Sequence, residues 1–392
     1  MIDIFNPSDE HLALREMVRA FTEKEVEPQA EAADQAEKFN LGLFRKLGEL
    51  GLLGITVPEA YGGSEMDATA AVIVHEELSA SDPGFTLAYL AHSMLFANNL
   101  AQNGSEAQKK RWLPGACSGE LVGGMCMSEP GAGTDVMGMK TTARLDGDHY
   151  VLNGAKMWIT NGCIDDTTLG DIFLVYARVE GAGRSQISQF LVPKGTPGFS
   201  LGQRIKGKLG MRASPTAELV FEDARVPVEN LVGSEGSASL HMMRNLELER
   251  LTLAAMSLGI ARRSVEIMNV YATERQSFGE PLNRFGQIQQ HIATSYAEYM
   301  AGRSYVYQVA NHLNLGKAGN RMDSDGVKLY CAPMAKQVAD RAIQVLGGYG
   351  YVAEYAVERL WRDAKLLEIG GGTNEAHQKN ITRDLSRQPL LK

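Results

Sequence analysis

The hydrophobic period of this chain changes twice along its length, and that order restricts the fold more than any other feature. Behind Ser8, an oxygen-bearing residue suited to capping a helix, Leu12, Met17, Val18 and Phe21 recur at helical spacing in a stretch rich in Glu, Ala and Leu. Further helical runs are expected at 41–50, 67–79 and 84–102, with breaks that carry Gly, Pro or Asn, as at 58–63. Near Glu120 the period falls to two. Strands are expected on either side of Asp146-Gly147, a good hairpin turn pair, and in the β-branched and aromatic runs at 172–176, 187–192 and 217–221. From Ser237 the helical period returns over 237–275, 285–315 and 324–346, with a last helix after Thr373. Long helices with short connections pack as an antiparallel bundle. The expectation is an α+β chain in three parts: an N-terminal α-helical domain (1–119), a middle β-domain (120–236) and a C-terminal α-helical bundle (237–392).

Size and charge narrow the function. A chain of 392 residues can bury a large core without disulfide staples. Its net charge of −8 argues against a dedicated nucleic-acid or anionic-membrane binder, but leaves room for a local basic pocket. Cys117, Cys126, Cys163 and Cys331 show neither CxxC spacing nor a zinc pattern with His, so a reduced compartment is the natural reading. The opening MIDIFNPSDE lacks a secretory or transit pattern, and no apolar run of ~18 residues is present. The cytoplasm is the expected location, or the mitochondrial matrix for a trimmed eukaryotic chain.

Short generic motifs mostly fail. His75-Glu76-Glu77-Leu78-Ser79 lacks the second His of a metalloprotease helix and reads as helix surface. Gly348-x-Gly350-x-x-Ala353 follows a helical run rather than a strand, which argues against a dinucleotide turn. The eight His residues are scattered, and no metal site is expected.

Three longer segments carry more. Cys126-Met-Ser-Glu-Pro-Gly-Ala-Gly-Thr-Asp135 is a polar, Gly-rich loop at the entrance to the β-domain. Its small residues let backbone N–H groups approach an anionic or heteroaromatic ligand, though closing a domain boundary would explain it equally well. Lys156-Met-Trp-Ile-Thr-Asn-Gly162 places a Trp at a strand end. Core packing is the ordinary role for such a Trp, and a stacking surface for a flat heterocycle is the alternative. Finally, Gly370-Gly-Gly-Thr373 leads into the last helix, with Thr373 as its N-cap. The free N–H groups and dipole there suit a phosphate or a developing enolate oxygen, while a glycine stop between two helices is the plainer account.

Taken together, the Cys126-to-Gly138 segment CMSEPGAGTDVMG and the run Gln344-Val-Leu-Gly-Gly-Tyr-Gly-Tyr, continuing through Glu354 and Arg359 to Asp363, resemble the acyl-CoA dehydrogenase family, and the resemblance extends over nearly the whole chain. It implies that family's fold: a helical N-terminal domain, a middle β-barrel-like domain and a C-terminal four-helix bundle. It also implies an FAD lying between the β-domain and the bundle, partly held by a neighbouring subunit of a homotetramer, a dimer of dimers. By this resemblance Met125, Met127, Ser128, Gly133, Thr134, Trp158, Ile159 and Thr160 contact the flavin end. Arg275, Phe278, Gln344, Val345, Gly347 and Gly348 reach the neighbour's FAD, and Thr373 and Glu375 line the site. One departure is Phe285-Gly286, where the family usually has Phe-Gln, so that contact is lost or passes to Gln287.

The base shows a second departure. Many family members carry a Glu two residues before the Thr matching Thr373, and here that position is Gly371. Removal of the α-proton of a thioester still needs a carboxylate as hydride leaves Cβ. An isovaleryl-CoA dehydrogenase-like subgroup places its Glu on a long helix in the sequence Leu-Glu-Arg, which matches Leu248-Glu249-Arg250. On pattern alone Glu249 reads as a surface ion pair; the resemblance, with no carboxylate at 371, makes it the expected base. Glu247 is its nearest rival. The resemblance further implies a thioester carbonyl bonded to the Gly371 N–H beside Gly372, Thr134 near the thioester, Arg250 on the CoA portion, and an electron-transfer flavoprotein as acceptor. The subgroup points to isovaleryl-CoA. Leu251-Thr-Leu-Ala and Leu367 depart from it and keep a bulkier β-branched thioester, such as citronellyl-CoA, as the alternative. A flavin monooxygenase of the same fold, or a binding-only homologue, would need no base.

Overall fold

The computed structural model describes residues 3–181 and 186–387. Helices fill the chain up to Ser118. The first, Asp9–Phe21, is capped by Ser8, whose side chain accepts from the His11 N–H. It continues through a π-helical turn, Thr22–Val26, into Glu27–Gln35. The 84–102 region likewise divides into Pro83–Leu90, a π-helical stretch Ala91–Asn98, and Asn99–Asn103. Both insertions are invisible to a 3.6-residue period, because each adds a residue to the turn without breaking the helix. Asp67 caps Ala68–Ser79, and every residue of that helix is buried.

That burial corrects the reading of His75-Glu76-Glu77 as helix surface. Glu76 is inaccessible to solvent; it accepts from Arg15 at 2.9 Å, from Arg303 at 3.1 Å, and from the hydroxyls of Tyr299 and Tyr307. Glu77 binds Arg15, Arg19 and Arg262. Buried carboxylates persist where cations and hydrogen bonds surround them. The cluster joins the N-terminal helices to the bundle, because Arg262 lies on Ala238–Glu274 and Arg303 on Gly286–Ala310. Close contact of Ala68–Ser79 with Ala238–Glu274 depends on Gly259: a Cβ there would stand 2.2 Å from Ser79 Oγ.

The middle domain is a sheet of eight strands: β1 Gly123–Cys126, β2 Thr142–Asp146, β3 His149–Thr160, β4 Ile172–Val179, β5 Ile187–Pro193, β6 Phe199–Arg204, β7 Thr216–Pro227 and β8 Leu231–Val232. The order is β6-β7-β3-β2-β4-β5-β8, with β1 parallel to β4. The β2–β3 hairpin turns at Gly147, whose φ of +64° suits glycine. The runs at 172–176, 187–192 and 217–221 lie in β4, β5 and β7, whereas β1 and β6 gave no readable alternation.

The C-terminal part packs Ala238–Glu274, Gly286–Ala310 and Arg321–Leu346 together, and Val357–Leu367 completes the bundle. Sequence periodicity left Val357–Leu367 undefined. Asn374–Leu385 then returns against Arg321–Leu346. No helix of the described residues is long and apolar enough to cross a membrane, and none of their acidic, His and Cys groups forms a metal cluster. Replacing Glu76 by Ala leaves Arg303 without its buried carboxylate and Arg15 with Glu77 alone. That should cost about 3–5 kcal/mol, read as a lower midpoint in chemical denaturation; an unchanged midpoint would show that the cluster does not stabilise the fold.

Candidate active site

Ala238–Glu274 carries Glu249 into the interior, where the residue is 7 % exposed and its Oε2 has no hydrogen-bond partner. Burial raises the Glu249 pKa to about 7, against the pull of Arg250 and Lys328 in the opposite direction. A carboxyl poised there can accept a proton near neutral pH. Glu247 is differently engaged. Two residues of helix turn it about 200° away, and its oxygens accept from the Gly319 and Asn320 backbone at 2.9–3.2 Å, at the start of Arg321–Leu346.

Facing Glu249 is the Gly371–Gly372 turn. Gly371 has φ +65° and Gly372 φ +96°, conformations in which L side chains are strained. A Cβ on Gly371 would stand 2.2 Å from Leu253 Cδ1 and 3.6 Å from Glu249 Oε1. The helix-borne carboxylate and the glycine of the loop therefore share one region of space. Thr373 caps Asn374–Leu385 by accepting from the Ala376 N–H, and Glu375 is exposed in its first turn. Lys328 donates to the Gly372 carbonyl at 2.8 Å, and burial lowers its pKa to about 8.

The Gly-rich loop is anchored from beneath. Glu129 accepts from the Lys140 N–H at 2.6 Å, the Thr141 N–H at 2.9 Å and Lys156 Nζ at 2.9 Å. Burial would raise the Glu129 pKa, but Lys156 and these N–H groups hold it below the usual carboxylate range. Lys156 also donates to the Met127 carbonyl, and the Met157 N–H bonds to the Ser128 carbonyl at 2.9 Å. The two segments thus form one surface. Gly133 and Thr134 are exposed on it, Ser128 and Thr160 are half-buried, and a Cβ at Gly133 would meet nothing within 4 Å.

Trp158 overturns the core-packing account. A bulge in the β3–β7 pairing between Lys156 and Ile159 turns it outward, with φ +66° and 62 % exposure. Strained, exposed aromatics of this kind mark binding surfaces. By contrast Met127 and Ile159 are buried in cores, so only their backbone faces the surface; Met125 is half-buried.

A separate cleft of about 470 Å³ opens among Arg275, Val345, Gly347, Gly348 and Tyr349. Every lining residue belongs to the C-terminal helical part, so a single chain does not join this cleft to the β-domain surface. Arg275 lies over the Tyr349 ring at 5.8 Å. Gln344 is exposed, the Val345 side chain is buried, and a Cβ on Gly347 or Gly348 would meet nothing within 4 Å. Nearby, Phe278 projects with 95 % exposure from the turn of a small hairpin, at φ +52°. Gly286 also faces open space, and Gln287 is exposed.

Arg250, expected on the CoA portion, is held inside the fold. It is 8 % exposed and bonded to Asp325 at 2.9 Å, which leaves its Nε without a partner. Asp325, Lys328 and His377 had no recognisable signal, because each becomes part of the site only when Arg321–Leu346 and Asn374–Leu385 pack together.

Profiles of the acyl-CoA dehydrogenase N-terminal, middle and C-terminal domains match residues 8–120, 124–224 and 240–386. Mitochondrial isovaleryl-CoA dehydrogenase of Arabidopsis thaliana is 43% identical over 383 residues, covering 97% of this chain and 92% of that protein. Butyryl-CoA dehydrogenase from Megasphaera elsdenii superposes with a TM-score of 0.92 at 35% identity, covering 97% of this chain and 99% of that one. A glutaryl-CoA dehydrogenase from Mycobacterium smegmatis in complex with FADH2 gives 0.90 at 30% identity, covering 98% and 96%. The chain belongs to the acyl-CoA dehydrogenase family, flavoprotein oxidoreductases that act on the CH–CH bond of acyl-CoA thioesters.

Proposed function

We propose that this enzyme converts a short branched acyl-CoA, isovaleryl-CoA or a close analogue, to its 2-enoyl-CoA with Glu249 as the base. The observation that carries the reading is the buried, unpaired carboxylate of Glu249 beside the glycine at 371. Bound FAD supplies the hydride acceptor, and the open surface formed by Ser128, Gly133, Thr134, Trp158 and Thr160 suits its flavin end. The Arg275–Gly348 cleft and the exposed Phe278 suit the remainder of an FAD held by a neighbouring subunit. Such sharing makes a homotetramer, a dimer of dimers, the natural assembly.

The chain's own groups supply the acid–base part. The Gly371 N–H, at the entry to a helix N-terminus, is placed to polarise a thioester carbonyl. Polarisation makes the α-hydrogen more acidic, and Glu249 Oε2 takes it. Burial keeps water from competing and matches the base to neutral pH. Electron-transfer flavoprotein is the acceptor we assign. Thr134 lies at the thioester end, and Arg250, ion-paired with Asp325 through Nη1, is assigned to the CoA portion through the rest of its guanidinium. The substrate follows the Leu248-Glu249-Arg250 placement that this chain shares with the isovaleryl-like subgroup. Leu251-Thr-Leu-Ala and Leu367 reshape the apolar wall and favour a bulkier β-branched thioester as the second reading.

Anaerobic mixing with a panel of acyl-CoAs should bleach the flavin absorbance fastest for branched short-chain thioesters. Glu249→Gln should slow bleaching about 10²–10⁴-fold, the span of a lost general base; bleaching at the wild-type rate would remove Glu249 from the mechanism. Because ionised Glu249 is the active form and its pKa is about 7, kcat/KM should climb as pH rises through that value and then level off. A profile flat from pH 5 to 9 would contradict the assignment.

A further inference from the structure

His377 stands in the first turn of Asn374–Leu385 and is fully buried, yet both its ring nitrogens are engaged. Nε2 lies 3.0 Å from the Gly372 carbonyl oxygen, and Nδ1 lies 2.6 Å from Asp325 Oδ1. A carbonyl oxygen only accepts, and so does an ionised carboxylate. The ring therefore bridges the turn and the Asp325 carboxyl, with a donor needed toward the Gly372 carbonyl. The same Asp325 oxygen forms an ion pair with Arg250 Nη1 at 2.9 Å, and Lys328 donates to the same Gly372 carbonyl at 2.8 Å. Three elements converge on one turn: Arg250 from Ala238–Glu274, Asp325 and Lys328 from Arg321–Leu346, and His377 from Asn374–Leu385.

The turn needs such restraint. Gly371 and Gly372 are consecutive glycines, the residues with the widest backbone freedom, and both sit at positive φ. Two donors on the Gly372 carbonyl fix the peptide plane that follows them. A Cβ on Gly372 would stand 3.0 Å from the His377 ring, so the ring also packs directly under the turn. Asp325 meanwhile holds the Arg250 guanidinium, one of the two cations that oppose the raised pKa of Glu249.

We propose that His377 and Asp325 are positioning residues for the reaction: they lock the Gly371–Gly372 turn so that its N–H stays aimed at the thioester carbonyl, and they hold Arg250 away from the base. This rests on the reading of Glu249 and the Gly371 N–H given above. Neither residue touches substrate in this scheme. Their effect should fall on carbonyl polarisation and the chemical step rather than on affinity.

The test uses the FAD-loaded enzyme with isovaleryl-CoA carrying a ¹³C-labelled thioester carbonyl. Wild type should lower the carbonyl stretching frequency on binding and exchange the α-hydrogen with D₂O. His377→Ala should lose most of that shift and slow exchange and kcat about 10–100-fold, the scale of a small misplacement, with KM changed less than about twofold. His377→Gln, whose amide can still donate to the Gly372 carbonyl, should recover most of the shift, and Asp325→Asn should fall between. If His377→Ala does not fold, the Gln and Asn variants decide. A wild-type shift and exchange rate in Asp325→Asn, or in a folded His377→Ala, would overturn the proposal. So would a loss confined to KM or to melting temperature. Glu249→Gln is measured in parallel: if it exchanges normally the base assignment fails, whereas the infrared shift still reports the turn and judges His377 separately.

Discussion

Glu249, the base we propose, is buried, and burial penalises the charge that would let it take a proton. The structure resolves this by leaving Glu249 without a hydrogen-bond partner at Oε2 while keeping cations close by, so that its pKa rises only to about 7. Full neutralisation by Arg250 would spoil the balance, and Arg250 is instead bonded to Asp325. The neighbouring helices are arranged around this compromise. Ala238–Glu274 holds the carboxylate, and Arg321–Leu346 supplies both the acid that occupies Arg250 and the lysine that anchors the opposing turn.

The same helix links the site to the stability of the fold. Nearly three turns beyond Glu249, Gly259 permits the close crossing with Ala68–Ser79, and Arg262 enters the buried cluster around Glu76 and Glu77. Errors in that crossing would displace Glu249 relative to the Gly371 turn, because an α-helix transmits a shift along its length. On the β side the Glu129–Lys156 pair has a parallel role. It ties a glycine-rich loop to a strand whose bulge presents Trp158 to the outside. Both halves of the site rest on buried charges whose partners come from distant parts of the chain.

Much of this was readable beforehand, for identifiable reasons. Ser8, Asp146-Gly147 and Thr373 act through local hydrogen bonds or local backbone geometry, so their residue types sufficed. Glu249 stands out in the sequence because position 371 lacks the carboxylate that many relatives carry there, and the structure adds that it is buried beside that glycine. The π-helical insertions, Val357–Leu367 and the outward turn of Trp158 were not readable, since each depends on neighbours far away in sequence. His75-Glu76-Glu77 misled for the same reason: a charged pair reads as surface until four arginines from other helices are seen to converge on it.

The succession of helical, β and helical parts, the glycines that let backbone come close and the missing side chain at Gly371 are written in the residue order. Those follow from periodicity, steric size and the chemistry of single residues. Packing sets the rest: Glu249 faces that glycine while Glu247 caps the start of a neighbouring helix, and His377, Asp325 and Lys328 meet beneath the same turn. The reason is physical. Burial, and the choice of partner for each charge, are properties of packed surfaces, and no spacing along the chain records them.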